Sequence, residues 1–282
     1  MYADFSPFKN IELTDADFKK ISTLIYKLCG INLQEGKKEL VRARLGKRIR
    51  EGRFPSFRDY YQYVIQDPSG HELVHFLDSI STNFTSFFRE QPHFDYLRTE
   101  ILPEWMTAKK GLNSRMRIWS AGCSSGEEPY SIAITLLEAL ENPAAWNIQI
   151  LASDLSSKVL RVAQGGVYEK ERIATLPVNL KKKYFLHGES GWQNYVRVKD
   201  SLKQYIEFKR LNLMEPFLFN EPFDCIFCRN VMIYFDKSTQ TDLVNRFHNH
   251  LVEGGVLFIG HSESLAGILH RFQYVKPAVY RK

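Results

Sequence analysis

One segment, residues 115–134, constrains the fold of this chain more than any other. Its sequence, RMRIWSAGCSSGEEPYSIAI, begins with an apolar run typical of a β-strand and ends with apolar residues at helical spacing. Between them lies a loop of small residues from Ala121 to Gly126, and Pro129 falls in the first helical turn, where its missing N–H costs no hydrogen bond. A strand, a small-residue loop and a helix N-terminus in this order begin a nucleotide-binding α/β unit.

Two carboxylates at the start of this helix restrict the ligand that the loop can bind. Gly122 and Gly126 allow a ligand to approach the backbone closely. Glu127 and Glu128, however, stand where a pyrophosphate would otherwise lie, and they would attract a cationic amino group instead. The motif therefore disfavours NAD and ATP and favours S-adenosylmethionine. Carboxylates in a first helical turn also stabilise the helix dipole, by about 0.3–1 kcal/mol, and one of the two is expected to do only that.

Hydrophobic patterning divides the chain into three parts. Residues 1–80 are predicted to form an all-helical domain, because apolar residues recur at helical spacing and no strand pattern occurs. Residues 81–110 form a polar and aromatic linker followed by a helix over about 92–106. Residues 111–282 alternate strand and helix patterns, which predicts βαβ units and a doubly wound, mostly parallel sheet.

The strands and helices of the third part follow from the same patterns. An insertion at about 165–204 carries two short alternating stretches separated by Gly188 and Gly191, which predicts a small antiparallel β-subdomain. A helix near 264–269 and a final edge strand over 272–280 are expected. The strands are predicted at 117–120, 148–153, 206–211, 223–228 and 256–260, and the helices at 128–141, 156–164 and 238–252.

Composition favours a cytoplasmic protein that is not inserted in a membrane. Residues 1–7 have neither a basic nor an apolar region of a signal peptide, and no run reaches the roughly 18–20 apolar residues of a membrane span. Four cysteines in 282 residues predict no disulfide framework. Cys225 and Cys228 fall within a predicted strand and therefore point to opposite faces, so we expect no metal there.

Positive charge is concentrated between Lys37 and Arg53, where eight basic residues face two acidic ones. The apolar residues Val41, Leu45 and Ile49 form one side of the predicted helix, so several basic side chains should face solvent. Such a cluster suggests an acidic or polyanionic partner, and the alternative is a solvated helix face.

Polar residues follow two predicted strands, at the edge where ligands bind in open α/β sheets. Asp154 follows the second strand and could accept hydrogen bonds from ribose hydroxyls, although aspartate also caps helices. Arg229, Asn230 and Tyr234 follow a buried strand and should reach the same crevice as Gly122. A core aromatic ring with its hydroxyl at the surface is the alternative for Tyr234.

Five segments of the chain, taken in sequence order, carry a family resemblance. They are TNFTSFFRE (82–90), WSAGCSSGEEPYSIA (119–133), ASD (152–154), FCRNVMIYFD (227–236) and GHSE (260–263). Together they resemble the CheR family of chemoreceptor glutamate methyltransferases. The resemblance covers nearly the whole chain and is highly specific.

The resemblance implies an N-terminal all-helical domain joined to a Rossmann-like S-adenosylmethionine-dependent methyltransferase domain with a β-subdomain insertion. It implies methyl transfer to glutamate side chains of chemoreceptors for sensory adaptation, with S-adenosylhomocysteine as the product. It also implies a set of cofactor-binding residues: Asn83, Thr85, Arg89, Gly122, Glu128 for the amino group, Asp154 for the ribose, Asn212, Leu213, Arg229 and Asn230.

The same resemblance gives the basic helix and the insertion expected partners. The acidic methylation region on the cytoplasmic helical bundle of a receptor would attract the positive charges of Arg44, Lys47, Arg48 and Arg50. The β-subdomain is a candidate site for a receptor tail peptide. We expect a monomer that binds no nucleic acid.

The chemistry needs no general base, because a substrate glutamate with a pKa near 4.3 is already ionised at neutral pH. Arg89 or the Tyr234 hydroxyl could orient its carboxylate near the sulfonium methyl. Two alternatives remain open from sequence: a nucleic-acid methyltransferase that uses the basic helix, and a non-catalytic adaptor that binds an S-adenosyl ligand. Against the first, the chain has RNVMIY at 229–234 instead of the Asp/Asn-Pro-Pro-aromatic motif of base amino-methylases.

Overall fold

The computed structural model describes residues 11–108 and 114–282. Residues 1–7, on which the expectation about export rests, and the expected boundary at 110/111 lie outside the described residues. The chain divides into two compact units. The first extends to Thr82 and includes Tyr234–Asp236, and the second comprises Asn83–Ile233 and Lys237–Lys282.

The first unit is built from four α-helices, as predicted. They are α1 (Asp15–Cys29), α2 (Lys38–Glu51), α3 (Phe57–Gln66) and α4 (His71–Ile80). Thr14 caps α1 by accepting the Asp17 N–H at 3.1 Å, and Gly30 ends it in the left-handed conformation at φ 73°. The apolar sides of the helices form a core in which Ile21, Leu45 and Tyr60 are fully buried.

Two of the basic side chains on α2 are part of this unit's own structure. Arg48 forms a bidentate ion pair with the buried Glu72. The Glu72 carboxylate also accepts a hydrogen bond from the Tyr60 hydroxyl at 2.9 Å. Burial opposes ionisation of Glu72, but Arg48 and Tyr60 hold the pKa of that carboxyl below its usual range. Arg44 donates to the Ile80 carbonyl and to the Thr82 hydroxyl.

Two of the four basic residues predicted to bind a receptor therefore also support the structure of their own unit. Arg44 and Arg48 are only partly exposed and are engaged by residues more than twenty positions away in sequence. Lys47, whose side chain is 78% exposed, and the exposed Arg50 are the two that face solvent.

The second unit contains the large sheet, with helices interposed along the chain. Its strands are β1 (Ser114–Ala121), β2 (Trp146–Asp154), β6 (Ile206–Arg210), β7 (Phe223–Cys228), β8 (Leu251–Ile259), β9 (Gln273–Lys276) and β10 (Val279–Arg281). The order is β6-β2-β1-β7-β8-β10-β9. The first five are parallel, and β10 and β9 add antiparallel at one edge. Every residue of β7 is buried, as expected for a central parallel strand.

The helices of this unit and a second sheet complete the fold. The insertion forms a three-stranded antiparallel sheet of β3 (Val167–Glu169), β4 (Phe185–His187) and β5 (Tyr195–Val198), in the order β3-β5-β4. The helices are α5 (Pro92–Tyr96), α6 (Leu102–Ala108), α7 (Glu127–Ala139), α8 (Ser157–Gly165), α9 (Val178–Tyr184), α10 (Asp200–Lys203) and α11 (Lys237–Asn249).

Five details differ from the sequence prediction. The final strand is a hairpin of β9 and β10, because Ala278 turns the chain at φ 63°. Residues 264–269 form turns instead of a helix, and α11 ends at Asn249, so that β8 begins five residues earlier than predicted, at Leu251. The strand β3 was missed because only three residues pair. The predicted helix 92–106 contains a π-helical turn at Leu97–Ile101.

Within residues 11–108 and 114–282, no helix is both long enough and apolar enough to cross a membrane.

Removal of Arg48 should destabilise the first unit. Arg48→Ala leaves the Glu72 carboxylate buried without its cation, and we expect a loss of about 3 kcal/mol, at the low end for breaking a buried pair because Arg48 is itself partly hydrated. Urea unfolding measures this loss, and Lys47→Ala is the control, expected within about 0.5 kcal/mol of the unsubstituted protein. Equal stability of the two variants would contradict the structural role of Arg48.

Candidate functional site

The site lies where the strand order of the large sheet reverses. The chain builds outward from β1 to β2 and β6, and then crosses to β7 and β8 on the other side of β1. A crevice forms beyond the carboxyl ends of parallel strands at such a point. Gly122 follows β1, Asp154 ends β2 and Arg229 follows β7, so all three lie at this edge.

The loop after β1 adopts a backbone that favours glycine. Gly122, Ser124 and Gly126 have φ values of 87°, 50° and 97°. A Cβ on Gly122 would overlap Val231, and one on Gly126 would lie 2.8 Å from the Ala163 Cβ. The loop therefore packs closely on its surroundings, and a side chain at either glycine would overlap them.

Asp154 orients this loop and binds the residue that caps the following helix. One carboxylate oxygen accepts the Ser124 N–H at 2.8 Å, and the other accepts the Ser156 N–H at 2.8 Å. The carboxylate therefore lies at the edge where the ligand site is predicted, and it also binds the N–H of Ser156. The cap of α8 proper is the Ser156 hydroxyl, which accepts from the Val159 N–H.

The strand β6 brings two further predicted residues to the same edge. Asp154 pairs in register with Arg210, and the Leu211 N–H donates to the Asp154 carbonyl at 3.0 Å. Asn212 and Leu213 come next, and the Asn212 side-chain oxygen accepts the Met214 N–H at 3.1 Å. Leu213 is buried.

The other side of the crevice is a buried ion cluster. The Arg229 side chain, only 2% exposed, lies between the carboxylates of Glu128 and Glu90, with N–O distances of 3.0 Å to each. It also donates to the Arg89 carbonyl. The second Glu128 oxygen accepts the Ser120 hydroxyl at 2.7 Å. These contacts join α7, β1, β7 and the linker.

The two carboxylates have opposite pKa shifts. Burial raises the pKa of the Glu128 carboxyl above its ordinary value, although Arg229 and Ser120 oppose the rise. Burial acts in the same direction on Glu90, but Arg229 and the hydrogen bonds from His261 and Asn230 hold the pKa of that carboxyl below its usual range. Arg229 lies equally close to both carboxylates, and Glu128 is the one whose charged form burial disfavours.

Glu127 has separate partners. It is fully buried, accepts the Ser125 hydroxyl at 2.6 Å and lies 3.5 Å from an Arg172 nitrogen. Of the two adjacent glutamates, Glu128 faces the ion cluster at the crevice and Glu127 faces the insertion.

The linker residues are held against the loop and α7. The Asn83 carbonyl accepts the Ser124 hydroxyl at 2.8 Å, and the buried Thr85 offers its carbonyl to Arg172 at 3.0 Å. Arg89 donates to the Phe84 carbonyl at 2.9 Å and is partly exposed. Asn83, Thr85 and Arg89 are thus brought into the second unit with Gly122, Glu128, Asp154, Arg229 and Asn230.

Sequence reasoning assigned no role to two residues that organise this region. Glu90 accepts from Arg229, from the Asn230 side chain at 3.4 Å and from the His261 N–H at 3.2 Å. Glu263 accepts the backbone N–H groups of Asn230 and Gly260. Both lie in segments that carried the family resemblance, and that position was the only available signal.

Two histidines and two cysteines lie at or near this edge. Among the described residues, Glu90, His93 and His261 have potential metal-ligand atoms within 4.8 Å of one another. Burial, reinforced by Arg229, lowers the pKa of His93 to about 3, which keeps its ring neutral. The Glu90 carboxylate already accepts hydrogen bonds from Arg229 and from two further N–H donors. Cys225 and Cys228 are fully buried free thiols.

The remaining predicted residues belong to the first unit. Tyr234 ends a 3₁₀ turn, Met232–Tyr234, and its carbonyl accepts the Asn32 N–H at 2.8 Å. Arg44, Lys47, Arg48 and Arg50 lie on α2 of the same unit.

Two family models match this chain. The model described as "CheR methyltransferase, all-alpha domain" matches residues 16–81, and "CheR methyltransferase, SAM binding domain" matches residues 83–281. Together they account for both compact units.

Chemotaxis protein methyltransferases match along almost their full length. The chain is 43% identical over 277 residues to one from Borreliella burgdorferi, covering 97% of this chain and 96% of that protein. It is 41% identical over 270 residues to chemotaxis protein methyltransferase 2 of Pseudomonas aeruginosa, with coverages of 95% and 93%. For the Salmonella typhimurium protein the identity is 39% over 274 residues, with coverages of 96% and 92%.

Proposed function

This chain belongs to the CheR methyltransferase family, and we propose that it methylates glutamate side chains on the cytoplasmic helical bundle of chemoreceptors. The methyl donor is S-adenosylmethionine. The products would be glutamate methyl esters and S-adenosylhomocysteine, made in the cytoplasm. The observation that carries the proposal is the pair of carboxylates, Glu128 and Asp154, on either side of the tight Gly122–Gly126 loop.

The residues at the crevice fit this cofactor. Burial raises the pKa of the Glu128 carboxyl, and its side chain is still 11% exposed, so it suits a ligand ammonium group. Asp154 is held by two backbone N–H groups in a fixed orientation suited to ribose hydroxyls. Asn212 and Leu213 would flank the adenine, and Asn83, Thr85, Arg89, Arg229 and Asn230 would complete the binding site.

The protein's contribution to the reaction is positioning. Bound S-adenosylmethionine supplies an electrophilic methyl group, and a substrate glutamate is ionised at neutral pH, so no residue needs to remove a proton. Arg89 is the partly exposed cation of the linker and would orient the substrate carboxylate. Arg229 is less suited to that task, because Glu90 and Glu128 already hold it. The Tyr234 hydroxyl is the second candidate for orientation.

Transfer of labelled methyl groups from S-adenosylmethionine to receptor-containing membranes tests the function. We expect label that is released by mild base, as methyl esters are. Label in nucleic acid, with binding that falls steeply with salt, would favour the nucleic-acid enzyme. Binding of S-adenosylhomocysteine without any transfer would favour the adaptor.

Asp154→Asn should weaken binding of S-adenosylhomocysteine by about 1.5–3 kcal/mol, the range for losing hydrogen bonds to a charged group. The amide has one acceptor oxygen where the carboxylate has two. Calorimetry measures the affinity, and Ser156→Ala is the control because it removes the α8 cap but keeps the carboxylate. Unchanged affinity in Asp154→Asn, or an equal loss in Ser156→Ala, would refute the ribose assignment.

The exposed basic residues of α2 should dock the acidic receptor segment. Lys47→Glu with Arg50→Glu should raise the receptor KM several-fold and reduce its salt dependence, because both side chains face solvent and neither supports the core. Affinity for S-adenosylhomocysteine should stay the same. The matched control is Lys19→Glu with Lys20→Glu, the same charge change on the exposed side of α1. A normal KM at low salt in the α2 variant would show that the helix is a solvated face.

The β-subdomain is proposed to bind a receptor tail peptide as an added strand beside β4. The edge of β4 is unpaired by any described strand, and Leu186 and Trp192 are 43% and 60% exposed near it. Eight basic residues against four acidic ones between 165 and 204 suit a peptide that ends in a carboxylate. Fluorescence anisotropy with a labelled tail peptide tests this. Binding that survives Leu186→Pro would contradict the added strand.

A further inference from the structure

The turn after β8, Gly260–Glu263, has a geometry that the proposed function does not explain. The Glu263 carboxylate accepts three backbone N–H groups: Asn230 at 2.9 Å, Gly260 at 2.6 Å and Ile233 at 3.2 Å. A fourth donor is the N–H of Met232. Three of these four donors belong to the loop that follows β7. One side chain thus fixes the backbone of the loop that carries Arg229 and Asn230.

A carboxylate suits this position for a chemical reason. The loop turns several N–H groups towards one point, which creates a concentration of positive partial charge. An ionised carboxylate only accepts hydrogen bonds and can serve all of these donors. A glutamine has the same shape, but its amide nitrogen would meet one or more of the same N–H groups and leave them without an acceptor.

Asn230 is the residue that this arrangement constrains most. Its backbone is in the left-handed region at φ 59°, a conformation that asparagine tolerates better than most residues. Glu263 holds its N–H, and Glu90 accepts its side-chain amide at 3.4 Å. A Cβ on Gly260 would overlap the Asn230 amide nitrogen and lie 2.9 Å from both its backbone nitrogen and a Glu263 oxygen. Asn230 is therefore held on three sides.

We infer that Glu263 is a positioning residue for the cofactor site, acting through the backbone of the β7 loop on Arg229 and Asn230. This inference rests on the proposed function, in which those two residues close the cofactor site. Gly260 serves the same end, because its missing side chain allows Asn230 to approach β8. Loss of either should let the loop relax from the left-handed conformation and move Arg229 relative to Glu128.

The test compares three variants for cofactor binding and for stability. Glu263→Gln removes the anionic acceptor. Gly260→Ala adds a methyl group that would overlap the Asn230 side-chain amide. The control is Asp224→Asn, which also removes a buried carboxylate that accepts a backbone N–H, from Arg117 at 2.8 Å, but at the opposite end of β7. For each variant, calorimetry gives the Kd for S-adenosylhomocysteine, urea unfolding gives stability, and the methylation assay gives kcat and KM.

We expect Glu263→Gln and Gly260→Ala each to raise the Kd by about tenfold or more, because Arg229 and Asn230 would be displaced from the positions that bind the cofactor. Both should also lower kcat at saturating receptor and cofactor, at temperatures where each variant is fully folded. Asp224→Asn should lose stability and keep the Kd of the unsubstituted protein.

Two outcomes would overturn the inference. One is a normal Kd and kcat in Glu263→Gln, and the other is a Kd that changes only in step with stability and equally in Asp224→Asn. A failure of the proposed function looks different, since the unsubstituted protein would then neither bind S-adenosylhomocysteine nor methylate receptors.

Discussion

The second unit depends on a single cation, Arg229, held between two carboxylates in the interior. Removing three charges from water is expensive, and their mutual attraction offsets that cost only when the geometry and the surrounding hydrogen bonds are good. Here Glu128 and Glu90 each lie 3.0 Å from the guanidinium, and Ser120, Asn230 and the His261 N–H satisfy the remaining carboxylate oxygens. The cluster brings together residues that lie more than a hundred positions apart, so it fixes where the linker, α7 and β7 meet. The cluster therefore also fixes the positions of the residues that line the crevice beside it.

The sequence predicted the parts of this site that follow from local pattern. A strand followed by small residues and a helix places Gly122 and Glu128 at one edge of the sheet, and a carboxylate at the end of the next strand places Asp154 beside them. The role of Glu90 could not be predicted in this way. Its partners Arg229 and His261 are distant in sequence, and nothing in the local pattern around Glu90 indicates which cation it will meet. Family resemblance marked the segment without giving its physical reason.

The basic helix α2 of the first unit also shows that contacts with distant residues cannot be predicted from local pattern. Apolar spacing correctly places Val41, Leu45 and Ile49 in the core, and it leaves the charged residues on the other sides of α2. Spacing cannot reveal that Arg48 meets Glu72, which lies 24 residues further on in another helix. The density of basic residues in the sequence therefore predicted more exposed positive charge on α2 than the structure has. The short strand β3 and the β9–β10 hairpin were misjudged for a related reason, because pairing with a distant strand decides such short segments more than their own residues do.

The opposite pKa shifts around Arg229 suggest why the site favours a cationic ligand. Arg229 lies 3.0 Å from both carboxylates, and Glu90 has additional N–H donors that help to lower the pKa of its carboxyl. Glu128 keeps a raised pKa, so its charged form is the least stable element of the cluster. An ammonium group brought to Glu128 would supply the second cation and favour the ionised form, because a nearby opposite charge lowers the pKa of a carboxyl. A pyrophosphate would do the reverse. In the proposed function, this buried carboxylate would therefore favour S-adenosylmethionine over the phosphate-bearing ligands that the surrounding fold commonly binds.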